Sequence, residues 1–263
     1  MKRGLTMRFG ICVGTDAKKI EILSRTGFDY FETNTTDITT AGDADFSEFA
    51  ACIEKFGLPC EAANCFVPGE IRLCAVQPDY KTISEYVQKA FLRASQCGVK
   101  TIVFGSGKAR SVPEGMKTGE AFDRLAFFLR EIVAPQAERY AIDLAIEPLN
   151  KNECNIINSV PDGIELADAV GQKRVKTLAD LYHMYLEDDS MEALAATKGK
   201  IIHAHIANPV ERRFPKPGDG FDFAPFLGAL KSAGCPRCSV EAGCDDFAAD
   251  APAALEAILG ANA

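Results

Sequence analysis

Glu147, Asp180, His205 and Glu241 lie near the ends of what read as the last four strands of the chain, three carboxylates and one imidazole in consecutive strand-helix units. Three carboxylates converging on a small volume raise one another's pKa and drive one or more to protonate unless a cation lies among them. Oxygen-rich ligation with a single nitrogen suits Mn²⁺, Mg²⁺ or Co²⁺ better than a structural zinc, which favours thiolates and several imidazoles. Singly, each residue has a plain reading: a Glu before Pro148 can cap a loop, and a histidine on a barrel face is often a hydrogen-bonded core residue. Their company changes that. Asp180 with His183 in ADLYH, His205 in HAHIANP and Glu241 in SVEAG occupy corresponding strand ends, and the chain's three histidines, His183, His203 and His205, all fall in this sector. His203 points the same way as His205 but about 7 Å deeper at strand rise. It is expected to orient a ligand by a hydrogen bond rather than to ligate.

The elements that must position this quartet alternate regularly. Strand-like segments at 8–13, 30–33, 60–64, 101–104, 142–147, 175–180, 201–206 and 239–241 are separated by amphipathic stretches at 17–26, 46–56, 80–97, 119–140, 160–170, 191–197, 223–233 and 248–259, the pattern of parallel βα units. Gly27, Gly57, Gly98 and Gly234 each follow one of the helical stretches, where a left-handed C′ position favours glycine. The chain of 263 residues fits one (β/α)₈ TIM barrel, typically roughly 250 residues long, as a single domain over 1–263. A doubly wound open sheet would advertise a Gly-rich phosphate turn after its first strand, and ICVGTDA has none. The GSGK in FGSGKARSVPEG lacks the spacing that wraps a phosphate. It reads as a βα loop at the barrel mouth, with Lys108 and Arg110 expected in solvent and a place near substrate as the alternative. Alternation sends Ile202, Ala204 and Ile206 toward the helices and His203 and His205 inward; Ile142, Leu144, Ile146 and Val240 likewise face out, while Asp143, Ala145, Glu147 and Glu241 face in. Inward polar groups at the carboxyl ends of barrel strands are where catalytic residues sit in this fold.

Bulk properties narrow the partners. A formal net charge of −8 disfavours nucleic acid and anionic membranes, and small neutral substrates fit better. No apolar run resembles a membrane span or a signal-peptide core, so a cytoplasmic protein is expected. Ten scattered cysteines read as reduced thiols serving as small hydrophobes. The lone CPRC pair, Cys235 and Cys238, is a weak motif for zinc or redox chemistry.

Between Asp143 and Glu241 the run of motifs resembles the xylose-isomerase-like superfamily of sugar isomerases and epimerases, and within it the ketose 3-epimerases. The resemblance implies that Glu147 and Glu241 are both metal ligands and acid/base catalysts, with Asp180 and His205 completing the set around one divalent ion, Mn²⁺ first and Mg²⁺ or Co²⁺ next. It places Glu153, His183 and Arg212 against a small-molecule sugar and implies a homodimer or homotetramer. Where the family has Glu-Pro-Phe, this chain has Glu241-Ala242-Gly243, and where it has Gly-Glu after the metal histidine, this chain has Ile206-Ala207. These departures bear on the pocket around the sugar's far end. In the N-terminal half only the fold pattern matches, with Glu32 and Asn64 as strand-end pocket residues.

The implied reaction is ketose 3-epimerisation through a metal-stabilised enediolate, one glutamate removing the C3 proton and the other returning one from the opposite face. His183 would hydrogen-bond the C2 oxygen, with Glu153 and Arg212 orienting the sugar. Aldose-ketose or hydroxypyruvate-type isomerisation on the same site is the alternative, followed by dehydration of an inosose-like polyol and by sugar binding without catalysis. A three-zinc abasic-site endonuclease on the same barrel needs several more histidines and a basic face.

Overall fold

The computed structural model describes residues 7–262. Eight parallel strands close in sequence order into a barrel: β1 (Arg8–Cys12), β2 (Tyr30–Asn34), β3 (Cys60–Asn64), β4 (Thr101–Phe104), β5 (Asp143–Ile146), β6 (Val175–Asp180), β7 (Ile201–Ile206) and β8 (Arg237–Val240). Helices Ala17–Leu23, Asp43–Phe56, Tyr80–Gln96, Val160–Val170, Met191–Ala195, Ala224–Ala233 and Phe247–Ala261 lie in connections where the hydrophobic pattern placed them. Left-handed glycines close three of the helices, at Gly57, Gly171 and Gly234. The long stretch after β4 is not one helix. It divides into Thr118–Phe127, a π-helical segment Phe128–Val133 and Ala134–Tyr140. Pro135 lies at the start of the last piece, and a proline there has no N–H for the preceding turn and crowds its carbonyl, which a wider turn relieves.

Alternation divides each strand between two cores. Ile11, Phe31, Ile102, Phe104, Leu144, Ile146, Ala204 and Val240 join the large apolar layer between sheet and helices, while Val103, Ala145 and Leu178 form a small cluster of their own. Ile202 packs against that second set, not toward the helices as strict alternation requires. A register shift explains the difference: Thr177 pairs with Ile201 and Leu178 with His203, so β7 carries one extra residue, Ile202, and a bulge re-aims the side chains around it. His203 and His205 keep their inward direction above the bulge. In the outer layer Phe66 meets Phe91 and Phe104 edge-on at 5.8 and 6.1 Å, each buried ring contributing roughly 1.5–3 kcal/mol.

Gly10 leaves room for a crossing side chain. A Cβ there would collide with the Tyr30 ring, which spans from β2 to Ser239 of β8 through a 2.9 Å hydroxyl hydrogen bond. Below it, Glu61 binds both Arg8 at 2.6 Å and Arg237 at 3.1 Å, tying the strand N-termini together at the face opposite the quartet.

Arg110 is not in solvent. It is fully buried and donates to the carbonyls of Phe104 at 2.9 Å and Glu147 at 2.7 Å, tying the ends of β4 and β5. Replacing Arg110 with Met removes both of these hydrogen bonds, leaving the Phe104 carbonyl only its ladder bond from the Glu147 N–H, and hydrogen bonds from a charged donor contribute about 1.5–3 kcal/mol each. The expected result in a denaturant titration is an unfolding free energy lowered by about 3 kcal/mol or more; a loss below about 1 kcal/mol would refute this role. Lys108, in contrast, is exposed. Cys235 and Cys238 are buried, and Cys235 is pushed up to about 12 by burial, so the pair is held as neutral thiols, unfit as thiolate nucleophiles.

Candidate active site

The four residues singled out by type meet at the carboxyl end of the barrel. One donor atom from each of Glu147, Asp180, His205 and Glu241 lies within 4.8 Å of every other. Glu147 and Glu241 stand one residue beyond β5 and β8, yet their N–H groups continue the ladder to Phe104 and Ile206, so both side chains keep the inward phase. Asp180 ends β6 and caps the short helix Leu181–Leu186, its Oδ1 accepting from the N–H of His183 at 3.0 Å. His205 is fully buried and turns Nδ1 toward the carboxylates, 3.0 Å from Glu147 Oε1, 3.6 Å from Glu241 Oε2 and 3.7 Å from Asp180 Oδ2.

The charges of this cluster do not balance without a cation. Burial would lower the His205 imidazole, but Glu241, Glu32 and Glu147 raise it well above its ordinary value, so it stays protonated as their counter-charge. Burial would also raise Glu147, where the facing His205 outweighs it and holds the carboxyl below its usual range. Glu241 goes the other way: burial, opposed by His205 but joined by Glu147 and Asp180, lifts it. Three carboxylate oxygens and one imidazole nitrogen, crowded and short of positive charge, make a donor set that fits one hard divalent ion.

The quartet opens onto a cleft of about 410 Å³, lined by residues that include Asn64, Ser106, Lys108, Glu153, His183 and Arg212. Glu241 is fixed from two sides, by Asn64 Nδ2 at 2.8 Å and by the Arg212 guanidinium at 3.2 Å. Arg212 also binds Glu153 at 3.0 Å and lies 4.5 Å over the Tyr182 ring. His183 is buried, and its Nδ1 faces the Asn150 side-chain nitrogen at 2.8 Å. Cys65, Ser106 and Arg212, all on the cleft wall, hold the left-handed backbone conformation, with φ of 49°, 47° and 50°. Such conformations in non-glycine residues cost of order 1–3 kcal/mol and gather at ligand sites.

Glu153, His183 and Arg212 thus lie beside the quartet, at its rim and not within it. Of the residues left open, Asn64 reaches Glu241 and His203 lies beneath His205. Glu32, expected as a strand-end pocket residue, does not line the cleft: it is fully buried and bonded to both barrel histidines. Its signal was an acid directly after Tyr30-Phe31 inside a strand, two residues from Tyr30 and therefore on the same face.

Gly105 sets the clearance on the cleft side of Glu147. A Cβ at that position would collide with Glu147 Oε2, so the carboxylate keeps its place only while residue 105 has no side chain. Gly105→Ala should keep the fold and displace Glu147, lowering turnover by about 10²-fold, the scale of a 1 Å misplacement. Steady-state kinetics at full parental activity would contradict this account of the Glu147 position.

A family model described as a xylose isomerase-like TIM barrel matches residues 20–260. A probable ketose 3-epimerase of Synechocystis sp. is 24% identical over 231 residues, covering 84% of this chain and 75% of that protein. A D-psicose 3-epimerase of Ruminiclostridium cellulolyticum is 26% identical over 204 residues, 76% of this chain and 68% of its own. Among solved structures, that of a D-psicose 3-epimerase in the presence of D-fructose superposes with a TM-score of 0.85 at 18% identity, over 97% of this chain and 99% of the other. At that identity the likeness is one of fold.

Proposed function

The chain belongs to the xylose isomerase-like TIM barrel family, and on that premise we propose that it is a divalent-metal-dependent ketose 3-epimerase. The observation that carries the reading is the paired placement of Glu147 and Glu241 across one cleft, each within 3.6 Å of the same imidazole nitrogen. Relatives that match most of the chain are ketose 3-epimerases, and the substrate class follows theirs.

Glu147, Asp180, His205 and Glu241 would hold the ion; the oxygen-rich set favours Mn²⁺, with Mg²⁺ or Co²⁺ as substitutes. When bound, the ion supplies a Lewis acid that polarises the C2 carbonyl and offsets the negative charge developing as the C3 proton leaves. The protein's own groups do the rest. One glutamate removes the C3 proton from one face of the sugar, and the other delivers a proton to the opposite face, inverting the centre without turning the substrate. Their opposite pKa directions suit a pair in which one member is ionised and the other protonated. His183 would donate a hydrogen bond to the C2 oxygen, its Nδ1 side held by Asn150, and Arg212 with Glu153 would fix the hydroxyl groups. Assembly as a homodimer or homotetramer belongs to the same reading, on the resemblance to the ketose 3-epimerases.

A panel of free ketoses incubated with Mn²⁺-reconstituted protein and resolved by chromatography tests the assignment. A C3 epimer of at least one ketose is the expected product. Aldose as the sole product would make the enzyme an aldose-ketose isomerase.

A further inference from the structure

Beneath the quartet, a chain of buried polar groups runs through the barrel that the reaction does not use directly. Glu32 projects inward from β2 with no exposure. Its Oε1 stands 3.1 Å from His205 Nε2, and its Oε2 stands 2.8 Å from His203 Nε2. Ser239 Oγ follows at 3.5 Å from His203, and the Tyr30 hydroxyl at 2.9 Å from Ser239. The rings of His203 and His205 meet edge-on with centroids 5.2 Å apart, so the carboxylate spans two imidazoles fixed in relation to each other.

We propose that Glu32 is the positioning residue for His205: by accepting its Nε2 proton, the carboxylate fixes the tautomer that leaves Nδ1 free to bind the ion. The proposal rests on the metal-site reading of the quartet. An ionised carboxylate has no proton to give, so it can only accept, and of the two neutral forms of His205 only the one carrying hydrogen on Nε2 satisfies it. That form directs the Nδ1 lone pair at Glu147, Asp180 and Glu241, and a carboxylate behind a ligating imidazole also raises its basicity. His203 fixes Glu32 in turn. With its Nε2–H donated to Oε2 in a hydrogen bond, it prevents the carboxylate from rotating away, and its own Nδ1 has no partner among the described residues, so that ring has no second hydrogen bond there to exchange for this one.

Glu32→Gln removes this compulsion while keeping the shape. The amide can accept from one imidazole and donate to the other, because His203 can move its proton to the unpartnered Nδ1, so the core stays hydrogen-bonded. Turned the other way, the same amide donates to His205 Nε2 and moves the proton to Nδ1, the form that cannot ligate.

Mn²⁺ affinity is measured by competition with a fluorescent chelator for the parent and Glu32→Gln, with thermal unfolding of both metal-free proteins as the check on folding. The expected result is a dissociation constant raised about 10- to 100-fold in a variant that still unfolds cooperatively. Equal affinities would overturn the proposal while leaving the metal site intact. Absence of binding by the parent would instead overturn the metal-site reading, and the proposal with it. Should the variant fail to fold, long-range proton–nitrogen NMR of the Mg²⁺-loaded parent decides the point. A His205 proton on Nε2 supports it, and a proton on Nδ1 overturns it.

Discussion

Glu241→Gln is expected to fold as the parent does and to turn over its ketose about 10²- to 10⁴-fold more slowly, the contribution typical of a positioned acid or base. The glutamine has the same size, and its oxygen can still accept from Asn64 Nδ2 or from Arg212, which hold the carboxylate at 2.8 and 3.2 Å. What it lacks is a proton to exchange. Glu147→Gln should lose activity to the same degree, since inversion needs a group on each face. The double variant should be scarcely slower than either single one, because residues that act as a unit are not additive. Full activity in Glu241→Gln, measured with circular dichroism to establish folding, would remove this residue from the chemistry.

Chelation has the second large effect. Stripping the divalent ion should abolish turnover, and Mn²⁺ should restore it. The same treatment should lower thermal stability, because an ion bound only by the folded state stabilises it by about 2.7 kcal/mol at a concentration 100 times its dissociation constant. The two effects share one cause. With no ion among them, Glu147, Asp180 and Glu241 face a protonated His205 and the Arg212 guanidinium that reaches Glu241 alone at 3.2 Å, two positive charges against three carboxylates. Undiminished turnover after exhaustive chelation would show that the cluster works without an ion.

The barrel was legible because its strands alternate and its helices are long enough to show a period. β3, β4, β6 and β7 have the bounds read from the residues. Helices Thr35–Thr40, Gly107–Arg110 and Leu181–Leu186 were not legible. Each is six residues or fewer and starts at or just after a strand end, two of them on a capping side chain, Asn34 or Asp180. None of the three is long enough to show a period of its own apart from the strand it follows. The quartet could be found from residue type and strand phase, which are local properties. Glu32 and Arg110 were read only as a strand-end pocket residue and a loop residue, since their actual roles depend on partners 171 and 37 residues away, His203 and Glu147. The bulge at Ile202 escaped for a related reason: register is a property of two strands, and Ile201–Ile206 alone gives no sign of it.

Proton NMR of a ketose turned over in D₂O by the Mn²⁺-reconstituted protein, then observed after removal of the ion, tests the central claim most directly. Deuterium entering at C3 together with a new C3 epimer is the predicted result. Deuterium confined to C1 or C2, or no exchange into any ketose, would contradict it.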